Sequence, residues 1–240
     1  MLFRSGDAFH HREDRRLRAA ARSLATSRDA DVGLALLQQL AGDAPEADRD
    51  PWSAAAARFR RKVHRAAPGA GRVKARLQSV HTTLESVAEA IHAARWPDRD
   101  WAILGQGLLQ SYRRARQRAR KAASQPGAER LHKWRIALKA LFYQLSFVSP
   151  AAPGRLGPLL KAFDRLQDDL GSANDIAMVE GHLTRGLKSD QARALGTVLR
   201  TLRRRRLKLQ SKSLARGKRL LAVSPGRFHK TIRRHWKIGR

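Results

Sequence analysis

The chain has no cysteine among its 240 residues, and its 20 Asp and Glu are far outnumbered by Lys and Arg. The missing cysteine excludes disulfides, thiolate nucleophiles and cysteine-based zinc sites. No run of about 18 apolar residues occurs, and the N-terminus lacks the apolar segment of a signal peptide. The sequence therefore predicts neither a membrane span nor a secretory signal, which leaves the cytoplasm as the expected location.

The motifs of phosphate-transfer enzymes are also missing. No GxxxxGK[ST] loop is present to hold nucleotide phosphates, and the glutamates are widely spaced. No His-x-x-x-His pair or clustered carboxylate set offers a metal site. We therefore expect a protein that is not an enzyme and that uses no metal or cofactor.

Positive charge is the most prominent feature that is present. Fifty Lys and Arg give a net charge of +30 and a pI near 11.8. Such an excess repels itself unless a polyanion or counterions compensate it. With 42% hydrophobic residues, the chain is nevertheless long enough for a folded core. The composition predicts a polyanionic partner and leaves nucleic acid, an anionic membrane and inorganic polyphosphate open.

Apolar residues recur at helical spacing and strand signals are nearly absent, which predicts an all-α protein. The expected helices are residues 12–26, 28–40, 52–67, 72–94, 111–121 with an upstream part, 129–148, 156–170, 173–187 and 190–221, before a C-terminal segment anchored by Phe228, Ile232 and Trp236. Ser27 is predicted to cap one helix, and Gly171 with Ser172 to stop one helix and start the next. Turns are predicted at 68–71 and 96–101.

Two helices carry an apolar seam of the kind found in helical bundles. In the helix at 72–94 the apolar residues step 4-3-4-3-4: Val73, Leu77, Val80, Leu84, Val87 and Ile91. In the helix at 129–148 they step 3-4-3-4-3: Leu131, Trp134, Leu138, Leu141, Leu145 and Val148. Each seam predicts a helix face that packs into a core.

The helix at 129–148 carries a second stripe, about 100° around from its apolar seam. Four hydrogen-bond donors step 3-4-4 along it: His132, Arg135, Lys139 and Tyr143. Arginine offers a planar fork to phosphate oxygens, lysine a mobile charge and tyrosine a neutral donor. Donors at intervals of roughly 5 to 6 Å suit a repeating anion. We expect polyanion affinity to rise as the pH falls and the imidazole becomes protonated.

Two further helices are predicted to contribute cations to the same ligand. One divides its arginines between two sides, with Arg113, Arg116 and Arg120 on one side and Arg114 and Arg118 on the other. The helix at 190–221 carries an i+4 row, namely Arg200, Arg204, Lys208, Lys212 and Arg216. Because such a row drifts by about 40° per step around a straight helix, its two ends need not face the same groove.

Four aspartates invite a metal or acid–base interpretation: Asp164, Asp168, Asp169 and Asp175. Asp164 and Asp168 share a helix face, and Lys161 and Arg165 are near enough in sequence to pair with them. A carboxylate at the start of a helix also stabilises the helix dipole. We interpret these aspartates as structural, in part as carboxylates that position arginines of neighbouring helices.

Two similar segments within the sequence suggest two related halves. SLATSRDADVGLALL at 23–37 and DDLGSANDIAMVEGHL at 168–183 each place an aspartate near the start of an apolar run. The run LHKWRIALKALFYQL at 131–145, followed by LQDDLGSANDIAMV at 166–179, resembles the second half of the CHAD family, the conserved histidine α-helical domain. Three further segments resemble other parts of that family, namely ARSLATSRDADV, GLLQSYRRARQRARK and GKRLLAVSPGRFHKTIRRHWKIGR.

The resemblance implies one CHAD-like domain over residues 1–240, built as antiparallel helical bundles in two pseudo-repeated halves at 1–95 and 98–240. It also implies basic helix faces that bind inorganic polyphosphate, with His132, Arg135, Lys139 and Tyr143 among the contacts. Such proteins are expected at polyphosphate granules or in phosphate metabolism, without a catalytic role. The ExExK pattern of the triphosphate-cleaving CYTH enzymes, to which some members are fused, is absent here.

The chain departs from the family pattern in two places. His132 precedes Asp175 by 43 residues, and the same interval before Asp29 falls upstream of Met1. The first half is therefore expected to be incomplete at its N-terminus and to lack its histidine-bearing helix. Two alternatives stay open, namely a start that is assigned too late and a loose substitution by His10 and His11. A second copy that covers the seam left open, forming a homodimer, is a hypothesis. The family usually has an acid and a histidine at the positions of Ser172 and Asn174, which argues against a site role for those two residues.

A basic helical protein that binds nucleic acid nonspecifically is the alternative function. The five tryptophans are spread singly along the chain, and neither a base-stacking platform nor a recognition helix is evident. Nonspecific binding to DNA or RNA at low salt is still expected from the charge. A basic scaffold that docks on an acidic protein or a granule coat is a third class that stays open.

Overall fold

The structure is a computed structural model that describes residues 2–46, 49–66, 70–94 and 101–238. The helices are α1 (Leu2–Gly42), α2 (Arg49–Ala66), α3 (Ala70–Ala93), α4 (Trp101–Ser124), α5 (Ala128–Val148), α6 (Pro153–Thr184), α7 (Ser189–Ala194), α8 (Gly196–Leu220) and α9 (Pro225–Ile238). No strand occurs in these ranges, and the all-α prediction is confirmed. The predicted turns at 68–71 and 96–101 fall mainly outside the described residues.

Two helix breaks that the sequence predicts are wrong. Helix α1 continues through Ser27, and α6 continues through Gly171 and Ser172. A glycine or serine inside a helix costs only about 1 kcal/mol or less, and in α6 the buried residues Leu170 and Ile176 extend one packed seam across the site. Packing therefore overrides the local signal. Conversely, the single helix predicted at 190–221 is two helices, α7 and α8.

The contacts divide the chain into two compact units. The first consists of Met1–Trp96 and His182–Leu195, and the second of Pro97–Gly181 and Gly196–Arg240. The division near residue 96 lies between the two predicted halves, whereas residues 182–195 lie in the first unit and not in the half to which they were assigned. That the units are related copies stays a prediction.

Helix α1 contacts both α2 and α3 in the first unit. Its second half packs on α2, and Gly33 permits the close approach because a Cβ there would overlap the ring of the buried Phe59. Its first half contacts α3, since Arg16 Nη2 donates to Ser86 Oγ at 2.8 Å. Arg16 and Arg12 also pair with the buried carboxylate of Glu13. One long helix thus supports both α2 and α3.

The chain segment after α6 is held by cations of α2. Arg58 Nε donates to Leu183 O at 2.9 Å, and Lys62 Nζ donates to Arg185 O at 2.9 Å. Gly186 has φ +60°, the left-handed conformation that glycine adopts most easily at the end of a helix. Carbonyls that the end of α6 leaves without helical partners are therefore satisfied by side chains from α2.

The apolar seam of α3 is packed only in part. Val87 is buried, but Leu77 is 52% exposed, Leu84 50% and Ile91 42%. The prediction that the whole seam lies in a core is therefore wrong for these three residues. Val73 and Val80 are half-buried, so the valine side of the seam is the better covered, while the larger side chains lie at the surface.

The seam of α5 is the centre of the second unit, as predicted. All six of its apolar residues are buried. Tyr112 of α4 stacks on Phe228 of α9 with ring centroids 3.9 Å apart, and its hydroxyl donates to Val223 O at 2.9 Å. Burial raises the pKa of this phenol. Helix α8 approaches α5 closely at Gly217, where a Cβ would overlap the indole of Trp134.

Candidate anion-binding grooves

Helices α5 and α6 lie side by side and antiparallel. His132 Nδ1 is 3.2 Å from Asn174 Oδ1, and Arg135 Nε is 3.5 Å from the position that a Cβ on Gly171 would take. A step of three residues toward the C-terminus of α5 therefore matches a step of three residues toward the N-terminus of α6, as in an antiparallel pair. The predicted donor stripe thus runs along the edge where α5 meets α6, and we call this edge the α5–α6 groove, lined by His132, Arg135, Lys139, Gly171 and Asn174.

The ring of His132 is oriented by Asn174. The side chain of His132 is exposed, and its contact with an amide oxygen requires a proton on Nδ1. In the neutral ring Nε2 is then an acceptor, and on protonation it becomes a second donor. Asn174, which departs from the family pattern, therefore orients His132 so that its Nε2 faces away from α6.

Arg135 is the half-buried cation of the groove. Its Nε is buried and has no hydrogen-bond partner among the described residues. A buried donor without an acceptor is costly, particularly on a charged group. An anion entering beside Gly171 would supply the missing acceptor. Lys139, also half-buried, lies one helical turn further along the same edge.

Tyr143 lies in a different environment from the other three donors. Its side chain is 62% exposed, and it borders an apolar cavity of about 320 Å³ between α4 and α5 together with Phe147 and Leu108. Phe147 is itself 64% exposed. The end of the predicted stripe is therefore an aromatic surface, and its role as a phosphate contact stays a prediction.

On its other edge, α6 holds cations of α8. The carboxylate of Asp169 is only 11% exposed and pairs with Lys212, at 3.0 Å, and with Arg216. Arg216 also donates to Arg165 O at 3.0 Å. This edge, defined by Asp169, Lys212 and Arg216, is called the α6–α8 groove. Asp169 therefore has the positioning role expected of the aspartates.

The α8 row reaches α6 only at its C-terminal end. Arg200 donates to Thr197 Oγ1 at 3.1 Å on its own helix, and Arg204 and Lys208 are exposed. This is the result of the 40° drift per step. The structure therefore brings Lys212, together with Arg216, to the α6–α8 groove but does not bring Arg200 there.

One side of α6 is acidic. Asp164 and Asp168 are exposed, and helical spacing places both, together with the half-buried Asp175, on the same side of α6 as Gly171. A polyanion lying directly over this side would meet carboxylates. The α5–α6 groove is therefore bordered by acidic side chains as well as by its cations, whereas Asp169 of the α6–α8 groove lies on the other side of the helix.

The α4 arginines lie at other edges of the second unit. Arg116 donates to Leu221 O at 3.0 Å and Ala222 O at 3.3 Å, and together with Arg120 it borders a cavity of about 800 Å³ between α4 and α8. Arg118 borders a separate cavity of about 240 Å³ between α4 and α5 whose other walls are Lys121, Glu129, Arg130 and Lys133.

These two cavities match the two-sided division of the arginines that the spacing predicts. Arg113 and Arg114, which complete the predicted set, are exposed. None of the residues that line either cavity belongs to the α5–α6 groove. The predicted site is therefore spread over several separate cationic surfaces, and the direct bonds of Arg116 to carbonyls give it a structural role.

Asn174 and Gly171 are the groove residues that sequence reasoning missed. Gly171 is predicted to end a helix, and Asn174 departs from the family pattern. Their proximity to α5 follows only from the antiparallel register of α5 and α6, which the apolar spacing does not specify. The one available signal is that each lies within the same GSAND segment that carries the family resemblance.

In the described ranges, no group of three or more His, Asp or Glu is placed to hold a metal ion. None of the helices in those ranges combines the length and apolar character needed to cross a membrane.

Comparison with known proteins gives one match. A sequence model of the family described as CHAD domain matches residues 2–184, which include α1 to α6. Helices α8 and α9 lie beyond the matched residues. No curated protein and no solved structure matches the chain.

Proposed function

Since the chain belongs to the CHAD family, we propose that it binds inorganic polyphosphate in the α5–α6 and α6–α8 grooves and does not catalyse its turnover. The observation that supports this most is the state of Arg135. Among the described residues its Nε, buried beside Gly171, has no acceptor, and it lies between the flanking donors His132 and Lys139. A chain of phosphates can contact all three residues at successive positions, which a single small anion cannot do.

Binding is driven by charge. The net charge of +30 attracts any polyanion, and release of the counterions condensed on that polyanion makes the affinity fall steeply with salt. The rigid helix supplies the spacing, because α5 positions one donor per turn. In the α6–α8 groove, Asp169 holds Lys212 and Arg216 in place before the ligand arrives, which reduces the entropy lost on binding.

The expected setting is the cytoplasm, at polyphosphate granules or in phosphate metabolism. In that setting a noncatalytic binder would retain or organise the polymer. Incubation with polyphosphate should release no orthophosphate.

A competition titration tests the proposed ligand. Long-chain polyphosphate and duplex DNA are each titrated against one labelled polyphosphate probe at about 0.15 M salt, where surface attraction is screened within about 8 Å. At equal phosphate concentration, polyphosphate should displace the probe at the lower dose. Stronger displacement by duplex DNA would contradict the proposal.

Binding of single-stranded nucleic acid is the second candidate, because aromatic rings lie near the cations. Tyr143 and Phe147 are both more than half exposed at the end of the donor stripe. Nucleic-acid bases stack on such rings, whereas polyphosphate contains no ring that could stack. Phe147→Ala should leave polyphosphate affinity unchanged. If the natural ligand is single-stranded nucleic acid, the same change should weaken its binding several-fold.

A further inference from the structure

The cavity of about 800 Å³ between α4 and α8 combines aliphatic walls with cations at its rim. Small-molecule sites in proteins have volumes of this order, and most are apolar with a few placed polar groups. None of its lining residues belongs to the α5–α6 or the α6–α8 groove. The aliphatic side chains of the walls are Ala119, Ala123, Leu214, Ala215, Leu221 and Ala222.

The floor of this cavity is Trp134 of α5, whose side chain is completely buried. The indole Nε1 of Trp134 has no hydrogen-bond partner among the described residues. Its Cε2, the carbon bonded to Nε1, is 3.7 Å from the position that a Cβ on Gly217 would take, and Gly217 also lines the cavity. A buried N–H without an acceptor is costly. An acceptor atom on a ligand that enters beside Gly217 would remove that cost.

Two cations lie at the level of this indole on opposite walls. Helices α4 and α8 run antiparallel, because successive side chains of α4 bond to carbonyls progressively earlier in the chain after and at the end of α8. The bond from Arg116 Nε to Leu221 O, at 3.0 Å, fixes their register and closes one end of the cavity. One turn further along α4 is Arg120, and one turn back along α8 is Gly217, followed by Lys218.

The charge at this level is not balanced within the cavity. Arg120 and Lys218 are exposed, and no carboxylate is among the described residues that line the cavity. Two cations above a buried N–H form a set of donors that a carboxylate or phosphate group can accept from together. The polar centre of the cavity therefore fits the anionic head of a ligand.

The walls indicate what the rest of that ligand is. Inorganic polyphosphate has no apolar part that could remove aliphatic walls from water, whereas an aliphatic chain does so. Trp134 is the one aromatic residue among the described residues that line the cavity, and the edge of its ring faces α8. Since no ring face is presented for stacking, a linear aliphatic chain fits better than an aromatic body.

We propose that this cavity binds an organic anion of the fatty-acid class. Its carboxylate lies between Arg120 and Lys218 and accepts a hydrogen bond from Trp134 Nε1. Because the bond between Arg116 and the end of α8 closes one end, the aliphatic chain extends the other way, along Leu214 and Ala123. The site is separate from the proposed polyphosphate grooves and does not depend on polyphosphate binding.

Octanoate tests the site in the full-length protein, with the indole N–H of Trp134 as the reporter. The five indole signals are followed by ¹⁵N NMR at about 0.15 M salt, and that of Trp134 is assigned from its nuclear Overhauser contacts to Gly217. This signal should move downfield as the N–H gains a carboxylate acceptor, with a dissociation constant on the order of 1 mM. Acetate, which lacks the chain, and 1-octanol, which lacks the charge, should leave it in place.

Filling the cavity tests where the chain lies. Ala123→Phe places a ring in the proposed path of the chain and should weaken octanoate binding at least about fivefold. Ala140→Phe adds the same ring at an exposed position of α5 outside the cavity and should have no effect. Circular dichroism checks that each variant is folded.

Removing the rim cations tests where the head lies. Arg120→Gln with Lys218→Gln should also weaken octanoate binding at least about fivefold, because the carboxylate loses both charged donors. Arg114→Gln with Arg219→Gln removes the same charge from exposed positions outside the cavity. That control should change the affinity less than about twofold, since distant surface charges are screened.

Three results would overturn the proposal. The first is a Trp134 signal that does not move with octanoate up to about 10 mM, well above the expected dissociation constant. The second is equal weakening by the cavity variants and their controls, which would show binding by general charge or surface adsorption. The third is an equal shift of the Trp134 signal by tripolyphosphate at the same concentration, which would assign the cavity to inorganic polyphosphate.

Discussion

Helices α3 and α5 carry apolar seams of the same spacing, yet the structure treats them differently. Every seam residue of α5 is buried, whereas Leu77, Leu84 and Ile91 of α3 stay about half exposed. In the second unit, α5 is packed into a core that also includes residues of α4, α6 and α9. In the first unit, α3 lies against the first half of α1. The comparison teaches that periodicity predicts which face of a helix is apolar, but not what covers it.

The largest expected difference between the two seams is in stability. Leu138→Ala, at a fully buried position of α5, should lower the free energy of unfolding by about 2 to 5 kcal/mol because it leaves a cavity. Leu84→Ala in α3 should cost less than about 1 kcal/mol, since half of its surface already contacts water. Urea unfolding at submicromolar protein separates the two. Equal losses would show that α3 has a core that we have not recognised.

The next largest expected effect on stability comes from the close packing of α8 against α5. Gly217→Ala should destabilise the protein by about 1 to 3 kcal/mol, because the added methyl group overlaps Trp134 and forces the helices apart. Gly107→Ala in α4 is the control, since nothing lies within 4 Å of its Cβ position. That change should be neutral or raise stability by up to about 1 kcal/mol. Thermal unfolding of both variants in one buffer decides the matter.

The seams show how far sequence reasoning extends. Leu131 to Val148 is predicted as a buried helix seam and is one, because residues that large at that spacing leave few other solutions. The break predicted at Gly171 fails, because a local capping signal is worth about 1 kcal/mol and the packed seam that continues through Leu170 and Ile176 is worth more. Helix α1 likewise continues through Ser27. A capping preference depends on a few neighbouring residues of the sequence, whereas a packed seam depends on contacts between helices.

The candidate site was predicted in its parts but not in its assembly. The stripe from His132 to Lys139 follows from helix geometry, and so does the two-sided division of the α4 arginines. The pairing of His132 with Asn174, and of Asp169 with Lys212 and Arg216, depends on the register between helices. A pattern within one helix contains no information about that register.

A smaller effect tests whether Asp169 positions the cations of α8. Asp169→Asn makes the chain more positive, so charge alone would increase its affinity for polyphosphate. If positioning matters more, affinity should instead fall several-fold because Lys212 and Arg216 lose their partner. Asp164→Asn makes the same charge change at an exposed position and should raise affinity slightly. A rise of equal size in both variants would remove the positioning role.

The smallest expected effect is a pH dependence in the first unit. Burial lowers the pKa of His182 below its ordinary value of 6.5, and the nearby Arg185 and Lys62 act in the same direction. The neutral ring packs edge-on against Phe59. The folded state thus binds the proton less readily than the unfolded chain, so stability is complete above pH 6.5 and is lost as the pH falls below it.

Melting temperatures measured between about pH 7.5 and 5.5 check this sign. The wild type should lose more stability over that range than His182→Leu, in which the titrating group is absent. His81→Gln replaces an exposed histidine of α3 and should follow the wild type. Identical slopes for wild type and His182→Leu would contradict the assignment.

Charge reversal in the α5–α6 groove tests the central claim most directly. Arg135→Glu with Lys139→Glu is compared with Arg60→Glu with Arg61→Glu, which makes the same change of net charge at exposed positions of α2. Affinity for long-chain polyphosphate is measured by calorimetry at about 0.15 M salt. We predict that the affinity of the groove variant falls at least tenfold and that of the control less than about threefold. A tenfold loss corresponds to roughly the free energy of one charged hydrogen bond. Equal losses would mean that polyphosphate responds only to overall charge and that the groove is not its site.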